Sequence, residues 1–310
     1  MGIKAGTNDV TKVYLGSTEV SKVYKGSTEV WSAVPPLPDG TVDVMILAGG
    51  GGHTSGGGAP YYNGQGGGGG GGMLEIVEYT LQVGQQYDIL VGAGGPGSGS
   101  DSSIRGTGVH WIAEGGGGQI TGGGCGGGEM GTMNNPAGWI GAGPGTEGQG
   151  FEGGLSESSS NQTAGGGGGA TGGKGYEGRL IAGLAMGGNG AHGRAPLLEP
   201  TIRLGSGGGA GATTINAQSG QSSTAGTGGI QGGGAGAVDG KAGTPGQQYT
   251  GGGGGGSSCL TAMPEVSGGS GQVWICSVSP AKSTSGNPTY QQWDKGRHMY
   301  KFLGSGSIVF

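Results

Sequence analysis

Gly66-Gly67-Gly68-Gly69-Gly70-Gly71-Gly72, running straight into Met73-Leu74-Glu75-Ile76-Val77, is the stretch on which the fold turns. A pure glycine run has no side chains to bury, so it builds no ordinary hydrophobic core. Either it is a flexible tether, or its bare backbone packs directly against other bare backbones. Further runs at Gly49–Gly52, Gly115–Gly118, Gly165–Gly169 and Gly251–Gly256 pose the same choice. Glycine fills 90 of 310 positions, against about 7% in ordinary proteins.

Collagen fails at once, because it needs glycine at every third position. Here runs of glycine alternate with stretches such as Leu74–Gln82. Disorder fits poorly too. Disordered chains are rich in charge and poor in aromatic and β-branched residues, whereas this one is 11% charged and carries 5 Trp and 10 Tyr. Val42–Ala48, Met73–Val83 and Val273–Val278 read as buried strands. Such a chain folds if its glycine segments adopt left-handed threefold helices of the polyproline-II type. Without Cβ atoms these approach one another on every side, and neighbouring N–H and C=O groups pair across the gaps. The expected class is therefore all-β and irregular, with almost no α-helix. A short N-terminal β-repeat stem precedes a sandwich of polyglycine-II helices with antiparallel strands.

The net charge of −5 and pI of about 5.3 speak against nucleic acid as a partner, since phosphate contacts need clustered Lys and Arg. No apolar stretch approaches the ~18 residues of a membrane span. Met1–Val10 has no apolar core of a signal peptide, so synthesis in a cytoplasm without Sec export is expected. Cys125, Cys259 and Cys276 have no metal-ligand spacing. They read as structural thiols, with a Cys259–Cys276 disulfide as the alternative. His53, His110, His192 and His298 are scattered, so neither a metal nor any other cofactor is expected. Gly168–Lys174 looks like a phosphate loop, but Gly175 stands where Ser or Thr should hold magnesium. Gly94–Asp101 approximates the GGxGxD calcium turn with its Asp two places late. No nucleophile elbow is found, and the chain is not expected to be an enzyme.

Val10-Thr-Lys-Val-Tyr-Leu-Gly-Ser-Thr-Glu19 is followed by Val20-Ser-Lys-Val-Tyr-Lys-Gly-Ser-Thr-Glu29 and Val30-Trp31. These decapeptides read as short strands joined by tight turns. Two units bury no face alone, so residues 1–40, closing on the stiff Pro35–Gly40 linker, are expected to attach or oligomerise. Residues 41–272 form the glycine-rich body. Residues 273–310 form a C-terminal β segment, with His298–Phe302 and Ser307–Phe310 as a closing hairpin.

The layout resembles the glycine-rich receptor-binding proteins on the tail fibres of tailed bacteriophages, including the tip adhesins of T-even-type phages. The resemblance is carried by Val44-Met-Ile-Leu-Ala-Gly-Gly-Gly-Gly52, by Gly66–Gly72 before Leu74-Glu-Ile-Val-Glu, by Tyr87-Asp-Ile-Leu-Val-Gly-Ala-Gly-Gly95, and by Asp101-Ser-Ser-Ile104. The decapeptides resemble repeats of phage tail proteins. The likeness implies stacked polyglycine-II helices whose connecting loops touch a bacterial surface receptor, an outer-membrane protein or polysaccharide. It also implies a virion location, contact with other tail or fibre proteins through residues 1–40, and a homotrimer. The ordinary segment Gln272–Phe310 departs from the pattern. A purely structural fibre-shaft or decoration protein, and an ice-binding or matrix protein, are the alternatives.

The candidate receptor-binding residues are the aromatic rings between glycine runs: Tyr61, Tyr62, Trp111, Trp139, Tyr176 and Tyr249. A lattice of bare backbones has no interior for a large ring, so each ring either staples a loop down or faces outward for recognition. Successive segments run up and down, so only half the loops share the tip.

Overall fold

The computed structural model describes residues 37–54, 63–133, 141–214, 222–238, 240–259 and 263–310, and the backbone of six short strands between residues 4 and 32. The chain divides into two compact units, Met1–Asp39 and Gly40–Phe310. In the first, Lys4–Ala5 pairs with Asn8–Asp9, Val13–Leu15 with Thr18–Val20, and Lys22–Lys25 with Thr28–Ser32. Each decapeptide is thus one antiparallel hairpin, with its Gly-Ser pair between the strands.

In the second unit the glycine runs pack backbone to backbone. The run Gly66–Gly72 shows the geometry completely. A methyl group added at Gly66 or Gly69 would fall within 3.0 Å of the carbonyl oxygen of Gly128 or Cys125. At Gly67 and Gly70 it would strike Gly208 and Gly205, and at Gly68 and Gly71 it would strike Gly51 and Ala48. Every third residue therefore faces the same neighbour, the signature of a threefold helix. The N–H groups follow the same period into the gaps between. Gly67 and Gly70 donate to Gly166 and Gly169, both at 3.0 Å. Gly68 and Gly71 donate to Gly254 and Gly251, and Gly69 and Gly72 to Gly117 and Glu114. The central run thus has six neighbours: 48–51, 114–117, 125–128, 166–169, 205–208 and 251–254. Only 166–169 runs parallel to it; the other five run antiparallel. This is hexagonal packing, and it pairs the buried backbone groups that would otherwise be orphaned.

Two antiparallel five-stranded sheets cover one end of the lattice. The first has the order Thr289–Gln292, His298–Phe302, Gln272–Ser277, Thr41–Leu47, Met73–Thr80. The second has Val109–Ala113, Ser102–Gly106, Gln86–Leu90, Gly306–Val309, Ser283–Ser285. Val44, Ile46, Tyr87, Ile104, Ile275 and Phe302 fill the core between them. Met45, Leu47, Trp274 and Met299, on the opposite face of the first sheet, are covered by Leu198, Ile202 and Leu204 from a lattice loop. That double burial explains why Thr41–Leu47 and Gln272–Ser277 are nearly continuous apolar runs. Cys125 and Cys276 are free and buried, so the latter forms no disulfide with Cys259.

His298–Phe302 and Gly306–Val309 do not form the expected hairpin. The first pairs with Gln272–Ser277 and the second with Gln86–Leu90, in different sheets. Tyr300, Phe302, Ile308 and Phe310 thereby reach the shared core from both sides. Residues 273–310 are strands of the same two sheets as residues 41–113. The fold is all-β and antiparallel, with one 3-10 turn at Asp294–Gly296 among the described residues. No helix among them is long and apolar enough to cross a membrane.

Candidate functional site

The lattice has two chemically different ends. At the sheet end Ala48 donates to Gly72, Gly71 to Gly251, and Gly251 to Ser270, each next to a strand or sheet-covering loop. At the opposite end stand Thr54, Met133, Thr214 and Cys259, the last described residues before the stretches 55–62, 134–140, 215–221 and 260–262, and Asn63, Gly141, Ser222 and Met263, the first described residues after them. The described flanks of these stretches stand together. Asn63–Gly64 pairs with both Gly131–Thr132 and Ser258–Cys259. Thr213 Oγ1 donates to the Asn63 carbonyl at 3.2 Å and lies 2.7 Å from Ser258 Oγ. The Ser223 hydroxyl donates to Thr214 Oγ1 at 2.8 Å. Buried Glu129 holds Gly141, the first described residue after the second stretch: its carboxylate accepts the Gly141 and Ser156 N–H groups, both at 2.9 Å.

The six aromatic candidates do not converge. Tyr61, Tyr62 and Trp139 belong to the stretches 55–62 and 134–140 and lie outside the described residues. Trp111 sits in a strand of the second sheet, packed against the core and edge-on to Tyr79 with centroids 4.9 Å apart. Tyr249 is exposed at the sheet end, its N–H donating to Ser270 Oγ at 3.0 Å. Tyr176 is 58% exposed on the flank of the lattice between the two ends, its carbonyl accepting the Gly167 N–H.

Residue-type reasoning missed a non-aromatic element at the loop end. Arg179–Ile181 and Leu184–Met186 form a hairpin that exposes Ile181 and Met186. The signal lies in the sequence: Leu-Ile and Leu-Ala-Met flank the two-residue spacer Ala182-Gly183. Nor does the sequence announce His53, which meets Ser257 across 204 positions. Nε2 accepts the Ser257 hydroxyl at 2.8 Å, and Nδ1 donates to the Thr54 carbonyl at 3.1 Å. Burial pushes the His53 pKa down, opposed by the Thr54 carbonyl and by Glu265. Ser257 Oγ also accepts the Gly243 N–H, and both side chains are sealed from solvent. The pair therefore ties the glycine run 251–256 to the base of the loop end. Burial likewise pushes the Cys125 thiol up to about 12, leaving it protonated and unreactive. Among the described residues no cluster of His, Cys, Asp or Glu is arranged to hold a metal ion.

No curated protein and no solved structure matches the chain. A family model does, described as a glycine-rich domain, over residues 27–277. Those residues take in every run of the hexagonal lattice, so the chain belongs to the glycine-rich domain family.

Proposed function

We propose that the chain is a receptor-binding protein of a bacteriophage tail fibre or tail tip, recognising the bacterial cell surface through the loop end of the polyglycine-II lattice. One observation supports this above the rest: the described flanks of four stretches that separate glycine runs, and the hairpin Arg179–Met186, stand at one end, opposite the covering sheets. A rigid block with diverse segments at a single pole suits recognition. A shaft has no need of such asymmetry, and the sequence of these stretches carries no regular array of Thr of the kind ice binding uses. In this reading residues 1–40 join other tail or fibre proteins and hold a homotrimer, because isolated two-stranded hairpins are marginal in water. The protein then resides in the virion.

The test is adsorption. Purified chain is expected to bind susceptible bacteria and to compete with the virus for infection. Labelling at residue 1 is expected to mark the particle-proximal side. A chain that binds no cell and leaves infection unchanged is a structural virion component instead.

A further inference from the structure

His53 is a buried titratable group to which recognition by the loop end assigns no role. It is 1% exposed and stands where the flanks of two loop-end stretches meet. Its Nδ1 faces the carbonyl of Thr54, the last described residue before stretch 55–62. Its backbone exchanges both hydrogen bonds with Val266, at 3.0 and 3.1 Å, just beyond stretch 260–262. Its Nε2 meets Ser257, next to the strand Ser258–Cys259 that pairs with Asn63–Gly64, the opposite flank of 55–62. Ser257 also accepts the Gln65 N–H at its carbonyl, 2.9 Å, and the Gly243 N–H at Oγ, 3.1 Å. One imidazole thus joins the chain on both sides of two stretches.

These partners fix the protonation state. A carbonyl only accepts, so Nδ1 carries the ring proton and Nε2 is a bare acceptor for the Ser257 hydroxyl. A second proton has to go on Nε2, where it points at Ser257 Oγ. The hydroxyl hydrogen must then turn away from the ring, and it donates to nothing else among the described residues. A buried donor without a partner and a buried charge both carry a penalty. The runs packed around Gly52–His53 present Gln65, Gly97, Gln119 and Ser257, all uncharged. Exposed Glu265, beside Val266, is the charged group that acts on the ring among the described residues. Burial holds the His53 pKa below 6.5, and the Thr54 carbonyl and Glu265 oppose it without cancelling it.

We infer that the His53–Ser257 pair is an acid-sensitive latch, which holds the flanks of the loop end together at neutral pH and releases them in mild acid. The release is a local opening, with the rest of the body folded. Its sign follows from linkage. In the closed end the ring resists its second proton; once the end frays and water reaches it, the pKa returns to the ordinary 6.5. Above pH 6.5 both forms are neutral and the latch has its full strength. As the pH falls below 6.5 the frayed form takes up the proton, and fraying grows by at most about tenfold per pH unit until the closed-state pKa is passed. At the sheet end the bonds from Ala48 to Gly72, Gly71 to Gly251 and Gly251 to Ser270 join backbone to backbone and do not titrate. A further consequence, weaker adsorption in acid, rests on the reading of the loop end as the receptor-facing pole.

The experiment reads amide hydrogen exchange of the full purified chain, corrected for intrinsic rates, at about pH 7.5 and about pH 5.5, either side of the ordinary histidine value. Protection of the His53, Gln65 and Val266 amides is expected to fall severalfold, with about tenfold as the ceiling, while Gly71 and Gly251 keep theirs. His53→Gln is expected to hold its loop-end protection across the same range. If that variant fails to fold, NMR of the wild-type imidazole carries the test: the ring is expected to stay neutral, with its proton on Nδ1, at about pH 6.5, where a free histidine is half protonated. Loop-end protection that ignores pH overturns the latch, as does a loss shared equally by the sheet end, a loss that persists in His53→Gln, or a ring half protonated at that pH. Wild-type adsorption to bacteria is expected to weaken over the same range and His53→Gln adsorption to stay level; equal weakening in both overturns the latch's part in binding. A chain that adsorbs to no cell at either pH sinks the receptor reading alone, because the exchange measurement stands without it.

Discussion

At the scale of single residues the lattice is governed by what a Cβ would meet. At Gly68 it would meet the Gly51 carbonyl oxygen well inside van der Waals contact, with backbone on both sides and nothing able to yield. Gly68→Ala is expected to cost about 3 kcal/mol or more, at or beyond the upper range for overpacking a core. Gly173 has negative φ and open space where its Cβ would stand, so Gly173→Ala is expected to stabilise by about 0.4–1 kcal/mol through the unfolded chain. Urea midpoints of the two variants check both signs. His53 gives a pH signature. Its native pKa lies below the ordinary 6.5 because burial disfavours the cation. Above pH 6.5 both states hold neutral imidazole and the His53–Ser257 tie contributes fully. As the pH falls below 6.5 the unfolded chain takes up a proton that the native chain refuses. Stability therefore drops, at most by about 1.4 kcal/mol per pH unit, until the native pKa is passed. His53→Gln is expected to flatten that stretch of the curve, and a slope that persists in the variant places the titration elsewhere.

At the scale of elements, position in the lattice decides which side chains a segment tolerates. The central run needs glycine at all three positions of each turn because all three face neighbours. The segment 172–178 lies on the flank: Gly175 and Gly178 are buried, while Lys174, Tyr176 and Glu177 face water. Gly175→Ala is thus expected to destabilise like Gly68→Ala, and Tyr176→Ala to stay within about 0.5 kcal/mol. If Tyr176→Ala destabilises as much as Gly175→Ala, the flank assignment fails. The glycine runs and the long apolar strands were legible in the sequence because each has a one-dimensional signature: an absent Cβ, or unbroken Val-Met-Ile-Leu. Adjacency was not. Gly67 meets Gly208, and Gly68 meets Gly51, yet one glycine carries no code for which other glycine it faces. The C-terminal strands misled for a related reason. Closeness in sequence favoured a hairpin, but Phe302 and Ile308 are placed by a core that both sheets share. At the loop end, attention to rings passed over Ile181 and Met186, whose exposure depends on a turn conformation that an Ala-Gly pair seldom announces.

At the scale of the whole body, Gly40–Phe310, the lattice and the sheets are one cooperative structure because the same segments build both. Thr41–Leu47 continues into the run at 49–52, Gly66–Gly72 continues into Met73–Thr80, and Gly271 leads into Gln272–Ser277. Glycine loses more entropy on ordering than any other residue, and each backbone bond returns only about 1 kcal/mol net. The lattice therefore depends on apolar burial outside it, and that burial is concentrated between the sheets. Ile275, fully buried there, tests the dependence. Ile275→Ala is expected to cost about 2–5 kcal/mol. The amides of Gly67–Gly71 are expected to lose hydrogen-exchange protection by the same free energy, although all of them lie in the lattice and none in the sheets. If those amides keep full protection while strand Gln272–Ser277 loses its own, lattice and sheets unfold as separate units. If they exchange at free-peptide rates in the wild type, the bare backbones do not hold one another, and the rigid scaffold behind the loop end is absent.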